Sequence, residues 1–218
     1  MSDELTVNEI FRSIQGEGTR AGLPCVLVRL TGCNLNCTWC DTEYARDQGR
    51  TMSIDQIVAR VGELNCPRVE VTGGEPLVQA ATRKLLRRLC DEGYEVLLET
   101  NGSQSLAPVD PRVVKIVDVK CPSSGMSAQN RWENLEYLST RDEVKFVIAR
   151  REDFDFARRT ICDQPLLKRH KITFSPVHES CPPSELAKWM LDDSDLPRDV
   201  RLGLQLHKVI WPGVDRGV

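Results

Sequence analysis

Short β-branched runs alternate with longer amphipathic runs along almost the whole chain, and this order restricts the fold more than any other feature. Strands are expected at 26–30, 68–72, 95–100, 115–120, 143–148, 171–175 and 200–205. Helices are expected at 53–61, 79–92, 131–137, 152–162 and 184–192. Ser53 and Gln56 have the spacing of a capping box, and Leu85, Leu86 and Leu89 recur at helical spacing before Gly93. Strands separated by helices pair in parallel through right-handed crossovers. A chain of 218 residues buries a sizeable core but has too few strand–helix units for a closed eight-stranded barrel. The expected architecture is α/β, an open, partial (β/α) TIM-like barrel of about six parallel strands, with a doubly wound sheet as the alternative. No repeat or long linker interrupts the pattern, so one domain over residues 1–218 is expected.

In both architectures function gathers beyond the C-terminal ends of the strands. Gly32-Cys33, Gly73-Gly74-Glu75-Pro76, Asn101-Gly102-Ser103 and Asp118-Val119-Lys120 all fall there. So do Ser175-Pro176-Val177-His178 and Gln205-Leu206-His207-Lys208. Turns occur at both edges of a sheet, so this one-sided clustering predicts a single shared site.

Nine cysteines are many for this length, and three of them, Cys33, Cys37 and Cys40, share one loop. Residues 1–10 are acidic and lack the basic and apolar regions of an export signal, which predicts a reducing, cytoplasmic setting. Clustered thiols there serve metals more often than disulfides. The other six, Cys25, Cys66, Cys90, Cys121, Cys162 and Cys181, read as small hydrophobes or incidental thiols. C-x-x-x-C-x-x-C wraps three corners of an iron–sulfur cube and leaves one iron open. Zinc is the alternative, with a fourth ligand such as Cys66 or His178. The polar segments at the same edge favour the cluster. A net charge of −3 argues against nucleic acid and for a small-molecule substrate, and no apolar run is long enough to suggest a membrane span.

C-x-x-x-C-x-x-C after one strand and Gly-Gly-Glu-Pro after the next resemble the radical S-adenosylmethionine (SAM) superfamily. Asn8-Glu9-Ile10-Phe11, Ser13-Ile14-Gln15-Gly16-Glu17-Gly18, Arg29 and Trp39-Cys40-Asp41-Thr42 narrow the resemblance to the 7-carboxy-7-deazaguanine synthase family. Glu99-Thr100-Asn101-Gly102 and Gln205-Leu206-His207-Lys208 extend it. The chain departs from that pattern at Asp118-Val119-Lys120, where relatives have Ser-Pro-Lys, and in the short segment between Cys40 and Gly73.

The resemblance implies that Cys33, Cys37 and Cys40 hold a [4Fe–4S] cluster and that SAM chelates its open iron. Electron transfer from the cluster then yields a 5′-deoxyadenosyl radical. It implies SAM contacts at Trp39, Cys40, Asp41, Gly74, Asp118, Val119, Lys120, Ser175, Pro176, Val177 and His178, and Mg2+ at Thr42. It implies binding of a pterin substrate through Ile14, Gln15, Gly16, Arg29 and Thr72. The implied reaction converts 6-carboxy-5,6,7,8-tetrahydropterin to 7-carboxy-7-deazaguanine and ammonia. A homodimer and an electron donor such as flavodoxin or ferredoxin are implied as well. An activase that makes a glycyl radical on a partner protein shares the cysteine loop and stands as a rival, as does a non-catalytic zinc module. By simpler chemistry, Thr42 reads as a helix cap or turn hydroxyl, His178 and His207 as hydrogen-bonded structural groups, and 150–159 as a solvated helix face.

Overall fold

The computed structural model describes residues 3–178, 180–214 and 216–218. β2 (Pro24–Leu30), β4 (Arg68–Gly73), β5 (Glu95–Thr100), β6 (Val114–Val119), β7 (Glu143–Ile148), β8 (Lys171–Pro176) and β9 (Arg201–Leu202) pair in parallel in that order. β1 (Glu4–Ile14) pairs antiparallel with β2 and with β3 (Arg50–Ser53). The sheet reads β3-β1-β2-β4-β5-β6-β7-β8-β9, with its two end strands unpaired to each other, so the barrel is partial as expected. Among the described residues no helix is long and apolar enough to cross a membrane.

One face of the strands is apolar and carries the helices. Val28, Leu30, Val71 and Leu98 pack against Ile57 and Val61 of α1 (Ile54–Glu63) and Leu85, Leu86 and Leu89 of α2 (Thr82–Asp91). Phe146, Ile148 and Phe174 pack against Phe154, Ala157 and Ile161 of α3 (Arg151–Asp163) and Leu186 of α4 (Pro183–Asp192). Phe146 and Phe154 both meet Phe174 edge-on, with centroids 5.7 Å apart. Alternation sends the intervening residues into the barrel. There Leu97, Val114 and Ile116 make a small apolar layer, and Arg29, Glu70, Thr72, Glu99, Asp118 and Lys145 make a polar one.

The expected strands from 26–30 through 171–175 appear with ends shifted by at most two residues. The last shrinks to Arg201–Leu202, which pairs with Thr173 and Phe174 at the edge of the sheet. The capping box forms: Gln56 N donates to Ser53 Oγ (3.2 Å) and Ser53 N to Gln56 Oε1 (2.9 Å). The 131–137 segment is a 3-10 helix, Trp132–Tyr137, and not α. α2 begins at Thr82 and not at 79, because Pro76–Val78 forms its own 3-10 turn. The sequence reading misses β1, β3 and the short α5 (Leu206–Ile210). Residues 150–159 are not wholly a solvated face either. Asp153 is fully buried and accepts from the backbones of Ala149 (2.9 Å) and Ser123 (2.9 Å).

Candidate active site

The polar edge segments do converge. They line one cavity of about 740 Å3, a size usual for small-molecule sites. Cys33, Cys37 and Cys40 lie on its wall, all free and partly exposed. Leu35 N–H donates to Cys33 Sγ (3.4 Å), and Asn101 Nδ2 lies 3.9 Å from the same sulfur. Donors aimed at a sulfur suit a thiolate that ligates iron. Among the described residues no three His, Cys, Asp or Glu side chains converge tightly enough for a single metal ion. Three unpaired thiols on one loop at the cavity wall can supply three of the four ligands of an iron–sulfur cluster.

The glycine pair exists for this loop. A Cβ on Gly74 would collide with Gly32 O and sit 2.7 Å from Cys33 Cβ, and a Cβ on Gly73, at φ +152, would collide with Leu30 O. Close approach to the cysteine loop therefore demands both glycines before any ligand is considered. Glu75 is fully buried. It accepts from Leu77 N (2.9 Å), Thr100 Oγ1 (2.9 Å) and Asn101 N (2.7 Å), tying the ends of β4 and β5 together. Burial pushes its carboxyl above the ordinary range, and these three donors oppose that shift.

Of the residues expected at SAM, Trp39, Cys40, Asp41, Gly74, Asp118, Lys120, Ser175, Pro176, Val177 and His178 all line the cavity. Val119 does not. Its side chain points the other way and packs in the core with Cys121 and Phe146, as strand alternation requires between Asp118 and Lys120. Lys120 pairs with Asp118 (2.7 Å) and sits 5.4 Å from the Trp39 ring centroid, so its charge already has a partner. Asp118 Oδ1 is buried without a hydrogen-bond partner, as expected of an acceptor left for a ligand hydroxyl or amine. Trp39 Nε1 donates to Ser123 Oγ (3.2 Å), and Ser123 is held in turn by Asp153. Asp153 thus steadies the cysteine loop from inside α3.

Thr42 occupies the cap position of the 3-10 turn Glu43–Ala45 but makes no capping bond. Its hydroxyl donates to Asp41 Oδ1 (2.9 Å), which leaves its oxygen able to meet a cation. His178 and His207 both line the cavity.

Ile14, Gln15, Gly16, Arg29 and Thr72 also reach it. The 15–18 segment arrives from the side opposite to the other loops, because β1 runs antiparallel to β2 and its end meets Pro24. The segment forms a floor inside the barrel. Gln15 Nε2 donates to Glu70, and Gln15 Oε1 accepts from Glu17 N (3.0 Å), so much of the amide expected to read a pterin edge is spent on the protein. Glu17 accepts from Lys145 (2.8 Å) and Gln205 Nε2 (2.9 Å), and Lys145 also pairs with Glu99. Glu143 anchors the segment from below, accepting from Thr19 N (2.8 Å) and Arg20 (3.0 Å).

This floor separates the titrations of its members. Burial pushes the Glu70 carboxyl up to about 8, with the Glu99 charge adding to it. Burial acts on Glu99 too, but Lys145 and Arg29 outweigh it and hold that carboxyl below its ordinary value. Burial opposes the Lys145 charge, and Glu17 and Glu99 overcome it and keep the amine protonated. Glu17, Glu70, Glu99 and Lys145 are among the lining residues that sequence reasoning did not assign to the site, as are Tyr44, Arg46 and Trp211. Glu17 and Glu99 stood inside the quoted motifs, whereas Glu70 and Lys145 carry no local signal.

Residues 27–161 match the Radical SAM superfamily. A 7-carboxy-7-deazaguanine synthase of Koribacter versatilis is 47% identical over 98% of this chain and 100% of its own length. One from Chlorobaculum tepidum is 47% identical over 98% of this chain and 97% of its own. The crystal structure of QueE from Escherichia coli shares the fold, with a TM-score of 0.74 at 22% identity over 93% of this chain and 94% of that one.

Proposed function

The chain belongs to the radical SAM superfamily and, within it, to the 7-carboxy-7-deazaguanine synthases, and from that premise we propose the reaction, its site and its setting. It is a radical SAM enzyme with a [4Fe–4S] cluster and SAM as cofactors, a small-molecule substrate and a need for a reductant. It converts 6-carboxy-5,6,7,8-tetrahydropterin to 7-carboxy-7-deazaguanine and ammonia, a step of queuosine biosynthesis. The observation that carries this reading is the convergence on one cavity of three free cysteines and a buried polar floor suited to a nitrogen-rich, carboxylated ring.

Cys33, Cys37 and Cys40 would hold the cluster, which with SAM supplies a hydrogen-abstracting radical. Trp39, the orphaned Asp118 oxygen and 175–178 would surround SAM. Arg29 offers its guanidinium to the substrate carboxylate, Gly16 and Ile14 present backbone groups to the ring, and Thr72 stands beside Glu99 (3.3 Å). The low Glu99 carboxylate and the charged Lys145 give the floor one acceptor and one donor for ring nitrogens. The Thr42 hydroxyl would take Mg2+, a hard cation that accepts a single hydroxyl beside substrate oxygens. The enzyme works as one domain over residues 1–218, as a cytoplasmic homodimer reduced by a flavodoxin or ferredoxin.

Anaerobic reconstitution with iron and sulfide, followed by incubation with SAM, dithionite and the carboxypterin, tests the reading. The expected result is 7-carboxy-7-deazaguanine and ammonia without stoichiometric release of 5′-deoxyadenosine, because substrate and products balance without net oxidation and the abstracted hydrogen is returned. A protein that holds a cluster and cleaves SAM but never forms that product would overturn it.

A further inference from the structure

β1 carries a bulge. Val7 pairs with Leu30 and Glu9 with Arg29, so two residues of β1 oppose a single step of β2. Leu5 and Val7 point into the helix-covered core. Without the extra residue, alternation would send Glu9 to that same apolar side. The bulge reverses the phase: Ile10 packs on the core, and Glu9 turns to the cavity face opposite Arg29. Asn8 is held outside the ladder by the carbonyl of Gln48 (2.7 Å).

The redirected carboxylate gathers groups from three segments. Glu9 Oε1 accepts from Arg29 Nε (2.8 Å) and from the Tyr44 hydroxyl (3.1 Å), and Oε2 accepts from Gly217 N (3.2 Å). Arg216 stacks on the Tyr44 ring, with its guanidinium carbon 4.3 Å from the centroid. Arg29 Nη1 and Nη2 make no hydrogen bond to a described residue, and the side chain lines the cavity. A guanidinium offers a carboxylate either its Nε edge or its Nη1/Nη2 edge. With Glu9 on Nε, the Nη1/Nη2 edge is the one left for a ligand.

We propose that Glu9 is a positioning residue that fixes which edge of Arg29 faces the cavity and thereby sets the preference for carboxylated over uncarboxylated pterins. This rests on the functional reading above. Glu9 does not touch the substrate; it acts through Arg29, and the bulge exists to place it there.

The test is binding, measured by fluorescence titration of 6-carboxytetrahydropterin and tetrahydropterin to the cluster-loaded protein with SAM present. Glu9→Ala should reduce the ratio of the two affinities about tenfold, a size usual for directly coupled neighbours. Glu9→Gln keeps an acceptor for Arg29 Nε and should restore most of the ratio. In an Arg29→Met background, Glu9→Ala should produce no further change in the ratio. Equal weakening of both pterins by Glu9→Ala, or an unchanged Glu9→Ala effect when Arg29 is already Met, would overturn the proposal. Melting temperature and cluster absorbance read on the same samples separate a folding loss, which would weaken both pterins alike. Failure of the wild type to make product would count against the functional reading and not against Glu9, because the binding ratio is independent of turnover.

Discussion

At the scale of single residues, the site is legible wherever side-chain chemistry is rare and illegible wherever it is common. Three cysteines on one loop and a Gly-Gly-Glu-Pro segment announce themselves. Gly74→Ala would push a methyl into Gly32 O and Cys33 Cβ, both in the cysteine loop. The expected outcome is loss of most iron–sulfur absorbance after reconstitution, while circular dichroism at room temperature is retained. Thr42 separates two readings of one hydroxyl. As a cap it would contribute about 1 kcal/mol to stability, yet it makes no capping bond. Thr42→Ala is therefore expected to leave the melting temperature nearly unchanged and to shift the magnesium dependence of product formation to higher concentrations, with Thr42→Ser intermediate. Superimposable magnesium curves would return Thr42 to a turn residue.

At the scale of elements, what most changes the picture is the strand that sequence reading misses. β1 is eleven residues long, but its bulge breaks the two-residue alternation in the middle, so Leu5-Val7 and Ile10 fall out of phase and no continuous strand signal remains. Glu143 supports from below the 15–18 segment that follows, through Thr19 and Arg20. Glu143 is 1% exposed and accepts from Thr19 and Arg20. Removing one partner of a buried, hydrogen-bonded pair leaves the others unsatisfied. Glu143→Ala should cost roughly 3 kcal/mol in urea unfolding and raise the KM for the pterin more than the KM for SAM, since Gln15 and Glu17 lose their support. Equal effects on the two KM values would mean that the floor does not face the pterin.

At the scale of the whole molecule, the partial barrel creates an electrostatic interior that no segment contains. Glu70 sits among Glu99, Glu17, Lys145 and Arg29, and its carboxyl moves from the ordinary 4.5 to about 8. Between these values the unfolded chain releases a proton that the native protein keeps, so native stability declines as pH rises from about 4.5 to about 8 and is level on either side. Glu70→Gln carries a permanently neutral amide at the same place. Its melting temperature should fall less than that of the wild type between pH 5 and pH 8, and parallel curves would show that Glu70 is already ionised in the native state. The parallel strands from β2 to β8, the helices between them and the cysteine and glycine loops were determined by the sequence alone, because periodicity, caps and turn glycines act over a few neighbouring residues. The charged floor was decided only by tertiary structure. Glu70 follows Arg68 in β4 and Lys145 follows Glu143 in β7, and charges that alternate with apolar residues along a strand read as a solvated face. They become part of a site because the barrel turns that face inward, and desolvation at short range then makes each charge depend on its neighbours.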